Sequence, residues 1–242
     1  MKNEISKKMY ITLDIDWAID PIIQYCLDLF EELGIQTTIN VTHATELMDI
    51  MSKKHELGIH PNFNFLLSGE ADKESNYSKV ISSLKNLVPD AVTVRSHACV
   101  SGSQLKYEFV KSGLKYELNT MIIPSKGQYI KPWCLAGVWQ IPYIFEDDVY
   151  FGNENHASEY WFDEGWEMPR VMNFHPIHIF LNTESMERYN TSRPYLKDID
   201  KLNKCRNMDN YGTEKMLRKL VSDGKTLGYT FETIRRLGEN LE

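Results

Sequence analysis

Long apolar runs and an excess of positive charge are both missing from this sequence of 242 residues. No apolar stretch approaches the ~20 residues that a membrane-spanning helix needs. The lysines near Met1 are not followed by the apolar segment of a secretory signal. Lysine and arginine together number 27, against 34 aspartates and glutamates, which gives a formal charge of −7. We therefore expect no membrane span and no nucleic-acid partner, because a nucleic-acid-binding protein usually carries a basic face.

Closely spaced cysteines are also missing. The four cysteines lie far apart and form no C-x-x-C motif; they are Cys26, Cys99, Cys134 and Cys205. This spacing favours reduced thiols over disulfides or a thiolate zinc site, and it predicts a cytoplasmic protein. Internal repeats, low-complexity tracts and Pro/Gly-rich linkers are absent too, so the sequence predicts a single domain over residues 1–242.

Short apolar segments alternate along the chain with segments of helical periodicity. Strands are predicted at residues 9–13, 37–42, 57–60, 91–94, 116–123, 138–141, 171–174 and 227–229. Helices are predicted at residues 22–33, 46–54, 77–88, 104–112 and 214–221 and after the last strand, with a polar stretch before about residue 210. This alternation predicts an α/β fold with a parallel sheet and helical crossovers, closed as a barrel or open and doubly wound.

Polar side chains follow four of the predicted strands. The four segments are Asp14-Ile15-Asp16, His60-Pro61-Asn62, Arg95-Ser96-His97 and His175-Pro176-Ile177-His178. Ligand chemistry gathers at the carboxyl ends of strands in such folds, and carboxylates and imidazoles are ligands that zinc uses. Each segment alone is also typical of a turn, a helix cap or a satisfied core residue. Together they predict a metal-assisted site in which one aspartate binds the ion and the other accepts a proton.

The order of these segments resembles the polysaccharide deacetylase family, the NodB-homology carbohydrate esterases. The resemblance runs from Tyr10 to about Thr233. The segment Thr12-Leu13-Asp14-Ile15-Asp16 resembles the first family motif in its D-x-D variant, which implies that Asp14 is the general base and Asp16 a metal ligand. The segment from His55 to His60 resembles H-E-[IL]-G-x-H, which implies that His60 is a metal ligand.

The later segments extend the resemblance. Val94-Arg95 resembles the third motif, which implies that Arg95 positions the base, and Asn173-Phe174-His175 resembles the last, which implies that His175 is the general acid. The segment from Gln140 to Tyr143, followed by Asp147-Asp148, is similar to the fourth region. The resemblance implies a distorted (β/α)7 barrel and a divalent metal cofactor, with Zn²⁺ as the expected ion.

Two departures from the family pattern concern the third metal ligand. Asn64 stands where the family has a second metal-binding histidine, and an amide oxygen is a poorer zinc ligand than an imidazole. Arg95 is followed by Ser96-His97-Ala98, which breaks the usual R-x-x-P-[YW] motif. We predict that His97 supplies the third ligand from the neighbouring strand. Asn64 as a weaker ligand, a loop hydrogen bond for His97 and a site without metal are the alternatives.

The resemblance implies a hydrolase of carbon–nitrogen bonds that removes an N-acetyl group from an acetylated sugar. The sequence is similar to deacetylases that act in the biosynthesis of bacterial surface polysaccharides, including the O-antigen of lipopolysaccharide. Two other hypotheses are a hydrolase of another C–N bond, such as an imide or ureide, and a non-catalytic carbohydrate-binding or structural relic of the barrel. Trp17, Trp139 and Tyr143 are candidates for lining a sugar site or for packing in the core. The sequence leaves the oligomeric state open.

Overall fold

The computed structural model describes residues 7–69, 75–123, 130–150, 161–163 and 168–242. The strands in these ranges are β1 (Lys8–Asp14), β2 (Thr38–Val41), β3 (Glu56–Ile59), β4 (Thr93–Val94), β5 (Tyr116–Glu117), β6 (Trp133–Leu135), β7 (Val138–Gln140), β8 (Phe145–Glu146), β9 (Arg170–Phe174) and β10 (Thr230–Phe231). The helices are α1 (Asp20–Glu32), α2 (Met48–Lys54), α3 (Asn64–Leu67), α4 (Tyr77–Leu87), α5 (Ser103–Lys111), α6 (Pro176–Leu181), α7 (Met186–Ser192), α8 (Ile199–Cys205), α9 (Thr213–Thr226) and α10 (Ile234–Glu239).

The strands of the described ranges form one sheet. Its order is β6-β7-β5-β4-β3-β2-β1-β9-β8, with β10 beside the start of β1. All pairs are parallel except the β6–β7 hairpin. The segment after β7 connects the β5 side of this order with β9, since Tyr143 bridges to Met121, which follows β5, and Phe145 pairs with Met172 of β9. The sheet therefore curls into the barrel-like α/β fold that the sequence predicts.

Strand β1 is an inner strand of the sheet, between β2 and β9, and it is paired in register with both. Its residues from Met9 to Asp14 are buried, as expected for a parallel strand that is covered on both faces. Thr12 pairs with Asn173 of β9, and Asp14 pairs with Asn40 of β2. These pairings bring polar side chains from three strands to one end of the sheet.

Helices occupy the stretch that the sequence describes only as polar. In the described part of the chain, residues 176–205 contain α6, α7 and α8. The side chains of Ser185 and Asp198 accept hydrogen bonds from the backbone N–H groups of Arg188 and Lys201, which caps α7 and α8. Helices α7 and α8 each have a single buried residue, so their apolar periodicity is too weak to read from the sequence, whereas α6 is short and almost entirely buried.

Two predicted strands differ from the structure. The strand predicted at 116–123 ends at Glu117, and beyond it only an isolated bridge at Met121 is found among the described residues. The strand predicted at 227–229 is instead the C-terminal cap of α9. Gly228 has a φ of 81°, and the backbone N–H of Tyr229 returns to the carbonyl oxygen of Gly224 at 2.8 Å. The strand follows at Thr230–Phe231.

None of the helices within the described ranges is both long enough and apolar enough to cross a membrane. The single domain over residues 1–242 stays a prediction, because several segments lie outside the described residues.

Candidate active site

The polar residues predicted at the strand ends meet at one edge of the sheet. Asp14 is the last residue of β1, while His60, Arg95 and His175 directly follow β3, β4 and β9. Because these strands are parallel, their carboxyl ends lie on the same side of the sheet. All four side chains are buried.

Asp14 is held by partners from three other strands. Asn40 donates from Nδ2 to Oδ1 at 2.7 Å, and Asn173 donates from Nδ2 to Oδ2 at 2.9 Å. Nη1 of Arg95 lies 3.3 Å from Oδ2. Burial opposes the ionisation of Asp14, but the positive charge of Arg95 and of the neighbouring imidazoles, chiefly His60, outweighs it and lowers the pKa. Asp14 is therefore an oriented carboxylate.

Arg95 is itself anchored on several sides. Nε donates to the carbonyl oxygen of Leu118 at 3.0 Å, and Nη1 donates to Oγ1 of Thr12 at 2.9 Å. The guanidinium also lies 4.4 Å from the ring centre of Tyr143. The fork of donors in arginine makes these simultaneous contacts possible, and a lysine has no equivalent geometry.

Asp16, His60 and His97 form a compact group of three potential metal ligands. Oδ1 of Asp16 lies 3.1 Å from Nε2 of His60 and 3.4 Å from Nδ1 of His97, and the two imidazole nitrogens are 3.3 Å apart. Bonds of about 2.0–2.1 Å to a tetrahedral zinc ion separate its ligand atoms by about 3.3–3.4 Å. The three atoms therefore have the spacing of one face of a zinc tetrahedron.

Hydrogen bonding at this group also fits an ion. Oδ1 of Asp16 is buried without a well-formed hydrogen bond among the described residues. A buried carboxylate oxygen without such a bond normally costs about 1–3 kcal/mol or more, and a coordinated cation removes that cost. Two other groups of potential ligands both include His175; they are Asp147, His175 and His178, and Asp14, Glu146 and His175. Only the Asp16 group contains a carboxylate oxygen without such a bond, among the residues described.

The two loops that carry Asp16 and His97 have strained backbones. Asp16 and Trp17 have φ angles of 38° and 54°, and Ala98 and Cys99 have φ angles of 54° and 53°. Residues other than glycine in this left-handed region cost roughly 1–3 kcal/mol each and are concentrated at functional sites. Burial opposes the ionisation of Asp16, yet the close contacts with the imidazoles of His60 and His97 lower its pKa. The surrounding structure thus keeps two strained turns in place, and these turns carry the carboxylate of Asp16 and the imidazole of His97 that lie against each other.

His175 pairs with a buried aspartate. Nδ1 of His175 lies 2.6 Å from Oδ1 of Asp147, and the backbone N–H of His175 donates to Oδ2 of Asp147 at 2.9 Å. Burial opposes the protonation of His175, but the charge of Asp147 outweighs it and raises the pKa well above its ordinary value. Nε2 lies 3.9 Å from Oδ2 of Asp16. An imidazole whose protonated form Asp147 favours therefore faces the Asp16 group.

A cavity of about 430 Å³ lies beside this group. Its wall combines Asp16, His97 and His175 with Trp17, Tyr189 and Lys197. A mixed apolar and polar wall next to charged groups is typical of a small-molecule site.

The structure brings together six of the seven predicted site residues, which are Asp14, Asp16, His60, Arg95, His97 and His175. Among the described residues, Asn64 has no hydrogen bond to these six residues. Its side chain is exposed, and its backbone N–H donates to Oδ1 of Asn62 at 2.9 Å. Its role as a ligand, like the roles of the other six, stays a prediction.

Sequence reasoning missed three side chains that orient the site. Asp147 holds His175, and Asn40 and Asn173 hold Asp14. Asp147 lies in the segment that resembles the fourth family region, but nothing in its spacing pairs it with His175. The two asparagines sit inside buried strands, and a polar residue within an apolar strand is the signal that points to them.

Comparison with known proteins identifies the family of this fold and site. A profile for WbmS-like polysaccharide deacetylases matches residues 11–193. A Bordetella bronchiseptica protein, assigned as a polysaccharide deacetylase involved in O-antigen biosynthesis, is 32% identical, with 90% of this chain and 91% of that chain covered and a TM-score of 0.79. No curated protein sequence matches the chain.

Two more distant structures share the fold. A family 4 carbohydrate esterase from Bacillus anthracis is 14% identical over 96% of this chain and 83% of that chain, with a TM-score of 0.52. A family 4 acetyl xylan esterase from Clostridium thermocellum is 12% identical over 96% and 90% of the two chains, also with a TM-score of 0.52. The predicted barrel type and the predicted enzyme class, a carbohydrate deacetylase among the hydrolases of carbon–nitrogen bonds, are confirmed. The chain belongs to the WbmS-like family of polysaccharide deacetylases.

Proposed function

We propose that this chain is a metal-dependent deacetylase that removes an N-acetyl group from a sugar during O-antigen-like surface-polysaccharide biosynthesis. One observation carries the chemistry: the group of Asp16, His60 and His97 lies between an oriented carboxylate, Asp14, and the imidazole of His175, which Asp147 holds. The assignment of the Bordetella relative to O-antigen biosynthesis supports the substrate class. A cytoplasmic location stays a prediction.

Asp16, His60 and His97 would hold the ion. Their one carboxylate and two imidazoles suit Zn²⁺ better than Mg²⁺ or Ca²⁺, which prefer oxygen ligands throughout. A bound Zn²⁺ supplies Lewis acidity, which makes water more acidic and polarises a carbonyl oxygen. His97 takes the part that the family pattern gives to a histidine at the position of Asn64.

Asp14 is the proposed general base. The lowered pKa keeps the carboxylate ionised, and the two amide donors together with Arg95 fix its orientation. It accepts a proton from the water that attacks the acetamide carbonyl carbon. General-base assistance of this kind typically contributes about 10²–10⁴-fold to the rate.

His175 is the proposed general acid. Asp147 occupies Nδ1, so the Nε2–H group is the one directed at the reaction centre. The imidazolium donates this proton to the sugar nitrogen as the C–N bond breaks, which gives acetate and a free amino sugar. The fixed tautomer and the raised pKa both serve this step.

Zinc binding and acetate release test the proposal together. The purified chain should take up Zn²⁺ or Co²⁺ and release acetate from N-acetylated sugars or their nucleotide- or lipid-linked forms. Asp14→Asn and His175→Ala should each lower turnover at least about 100-fold. Asp16→Asn should abolish zinc binding, whereas Asp14→Asn should retain it. Asp209→Asn, at an exposed position, is the matched control.

Three results would reject the proposal. Full activity of Asp14→Asn contradicts the assigned base. Failure of the wild-type chain to take up either ion favours a carbohydrate-binding or structural relic. Hydrolysis of imides or ureides with no acetate release from any acetylated sugar favours the other C–N hydrolase.

A further inference from the structure

Trp17 combines an exposed indole with a strained backbone at the edge of the cavity. Its side chain is 38% exposed, and its φ of 54° lies in the left-handed region. Such a backbone is unfavourable for a bulky residue, and large apolar side chains are normally buried. The residue directly follows Asp16 and lines the same cavity as His97 and His175.

The surrounding structure holds Trp17 in this conformation. Its backbone N–H donates to Oγ1 of Thr42 at 3.1 Å, and its carbonyl oxygen accepts from Nζ of Lys197 at 2.5 Å. The indole meets the ring of His97 edge-on, with ring centres 5.1 Å apart and an interplanar angle of 77°. These contacts fix both the backbone and the ring, yet they leave part of the indole open.

The other aromatic candidates from the sequence do not share this exposure. Tyr143 is buried beneath Arg95, and Trp139 lies within β7. Packing within the fold accounts for the positions of Tyr143 and Trp139. It does not account for Trp17, whose indole is exposed beside polar groups on a strained turn. An open aromatic face beside hydrogen-bonding groups suits a ring that has both apolar C–H and hydroxyl groups.

We propose that Trp17 is the platform on which the sugar ring of the substrate stacks, so that it determines specificity for a pyranose-borne acetamide over an acyclic one. The inference rests on the proposed deacetylase function. The pyranose C–H face packs on the indole, and the acetamide extends toward Asp16, Asp14 and His175. The contact is confined to the sugar ring, so an acetamide without a ring does not benefit from it.

The test compares two substrates in three variants. N-acetylglucosamine represents the pyranose and N-acetylethanolamine the acyclic acetamide. In Trp17→Ala, the ratio of kcat/KM for the sugar to kcat/KM for the acyclic amide should fall about tenfold, mainly through KM of the sugar. Trp17→Phe should recover most of the ratio, because it restores an aromatic face. Tyr107→Ala, which removes an exposed aromatic residue from α5, should leave the ratio at the wild-type value.

Equal losses for both substrates, or a weaker zinc affinity in Trp17→Ala, would instead make Trp17 a support of the metal loop and overturn the proposal. The proposal is also overturned if Trp17→Phe behaves like Trp17→Ala, or if Trp17→Ala keeps the wild-type ratio.

Direct binding of N-acetylglucosamine, followed by calorimetry, separates this proposal from the proposed function. Sugar binding that depends on Trp17 in a zinc-loaded chain without deacetylase activity would support the platform and reject the deacetylase. Deacetylation with an unchanged KM in Trp17→Ala would reject the platform alone. A wild-type chain that neither binds nor deacetylates the sugar would reject both.

Discussion

Replacing Asp147 by Asn tests the pairing on which the proposed role of His175 as general acid depends. The change preserves the size of the side chain and removes a carboxylate charge that lies 2.6 Å from Nδ1 of His175. In the wild-type chain, burial opposes the protonation of His175, and Asp147 more than offsets it. Without that charge, burial acts against the imidazolium and the pKa of His175 falls.

The size of the effect follows from the contact that is lost. A hydrogen bond to a charged group contributes about 1.5–3 kcal/mol. Since about 1.4 kcal/mol corresponds to a factor of ten, the ratio of protonated to neutral His175 at a given pH should fall about 10- to 150-fold. The limb of the pH–rate profile where kcat falls with rising pH should therefore move to lower pH, and kcat should decrease at pH values above the lowered pKa.

The same substitution predicts a change in stability with a defined sign. Because the pKa of His175 is raised in the folded chain, its protonation contributes stability that is fully present below the unfolded pKa of about 6.5. That stability is lost as the pH rises through the folded pKa. Asp147→Asn should therefore lower the free energy of unfolding by about 1.5–3 kcal/mol at pH 6, and by less at higher pH.

Urea denaturation at several pH values and a pH–rate profile measure both effects. Asp209→Asn, which alters an exposed aspartate, should change neither. An unshifted descending limb in Asp147→Asn would refute the assignment of His175 as the acid held by Asp147. A loss of stability that is the same at every pH would show that Asp147 acts through packing rather than through the charge of His175.

Two further predictions concern buried contacts. Arg95→Met leaves the carboxylate of Asp14 without its nearest cation; urea denaturation should show a loss of about 3–5 kcal/mol, and acetate release should fall at least about 100-fold. Full activity in Arg95→Met would contradict a positioning role. Gly238→Ala places a methyl group 2.2 Å from the ring of Tyr116 and should lower the melting temperature, whereas Gly102→Ala, with nothing within 4 Å, should be tolerated. Equal melting temperatures for the two glycine variants would contradict this packing.

The site residues that could be predicted best follow strands with a clear apolar sequence pattern. Asp14 and His60 follow apolar segments whose length and composition predict buried strands. Because ligand sites lie at the carboxyl ends of parallel strands, the two residues were expected to lie close together. His97 was predicted from its place two residues beyond Arg95, and the structure sets it against Asp16. These residues depend on local pattern and on one general rule of topology.

The rest depends on contacts that no local pattern encodes. Asp147 reaches His175 because Phe145 in the short strand β8 pairs with Met172 of β9, and a pair so distant in sequence leaves no periodic signal. The apolar run from Leu227 to Tyr229 resembles a strand by composition. In the structure it caps a helix, because Gly228 adopts a positive φ that ends α9 before the strand begins.

The geometry of the site depends on the register in which β1 pairs with β2 and with β9. Thr12 lies opposite Asn173, and Asp14 lies opposite Asn40. If β2 or β9 shifted by one residue relative to β1, its asparagine would point to the other face of the sheet. An apolar side chain would then lie next to the carboxylate of Asp14. A misregistered chain could keep its strands and much of its core, yet it would lose the amide that steadies Asp14. Catalytic competence would then distinguish the correctly aligned barrel from near-native alternatives that spectroscopy of secondary structure cannot tell apart.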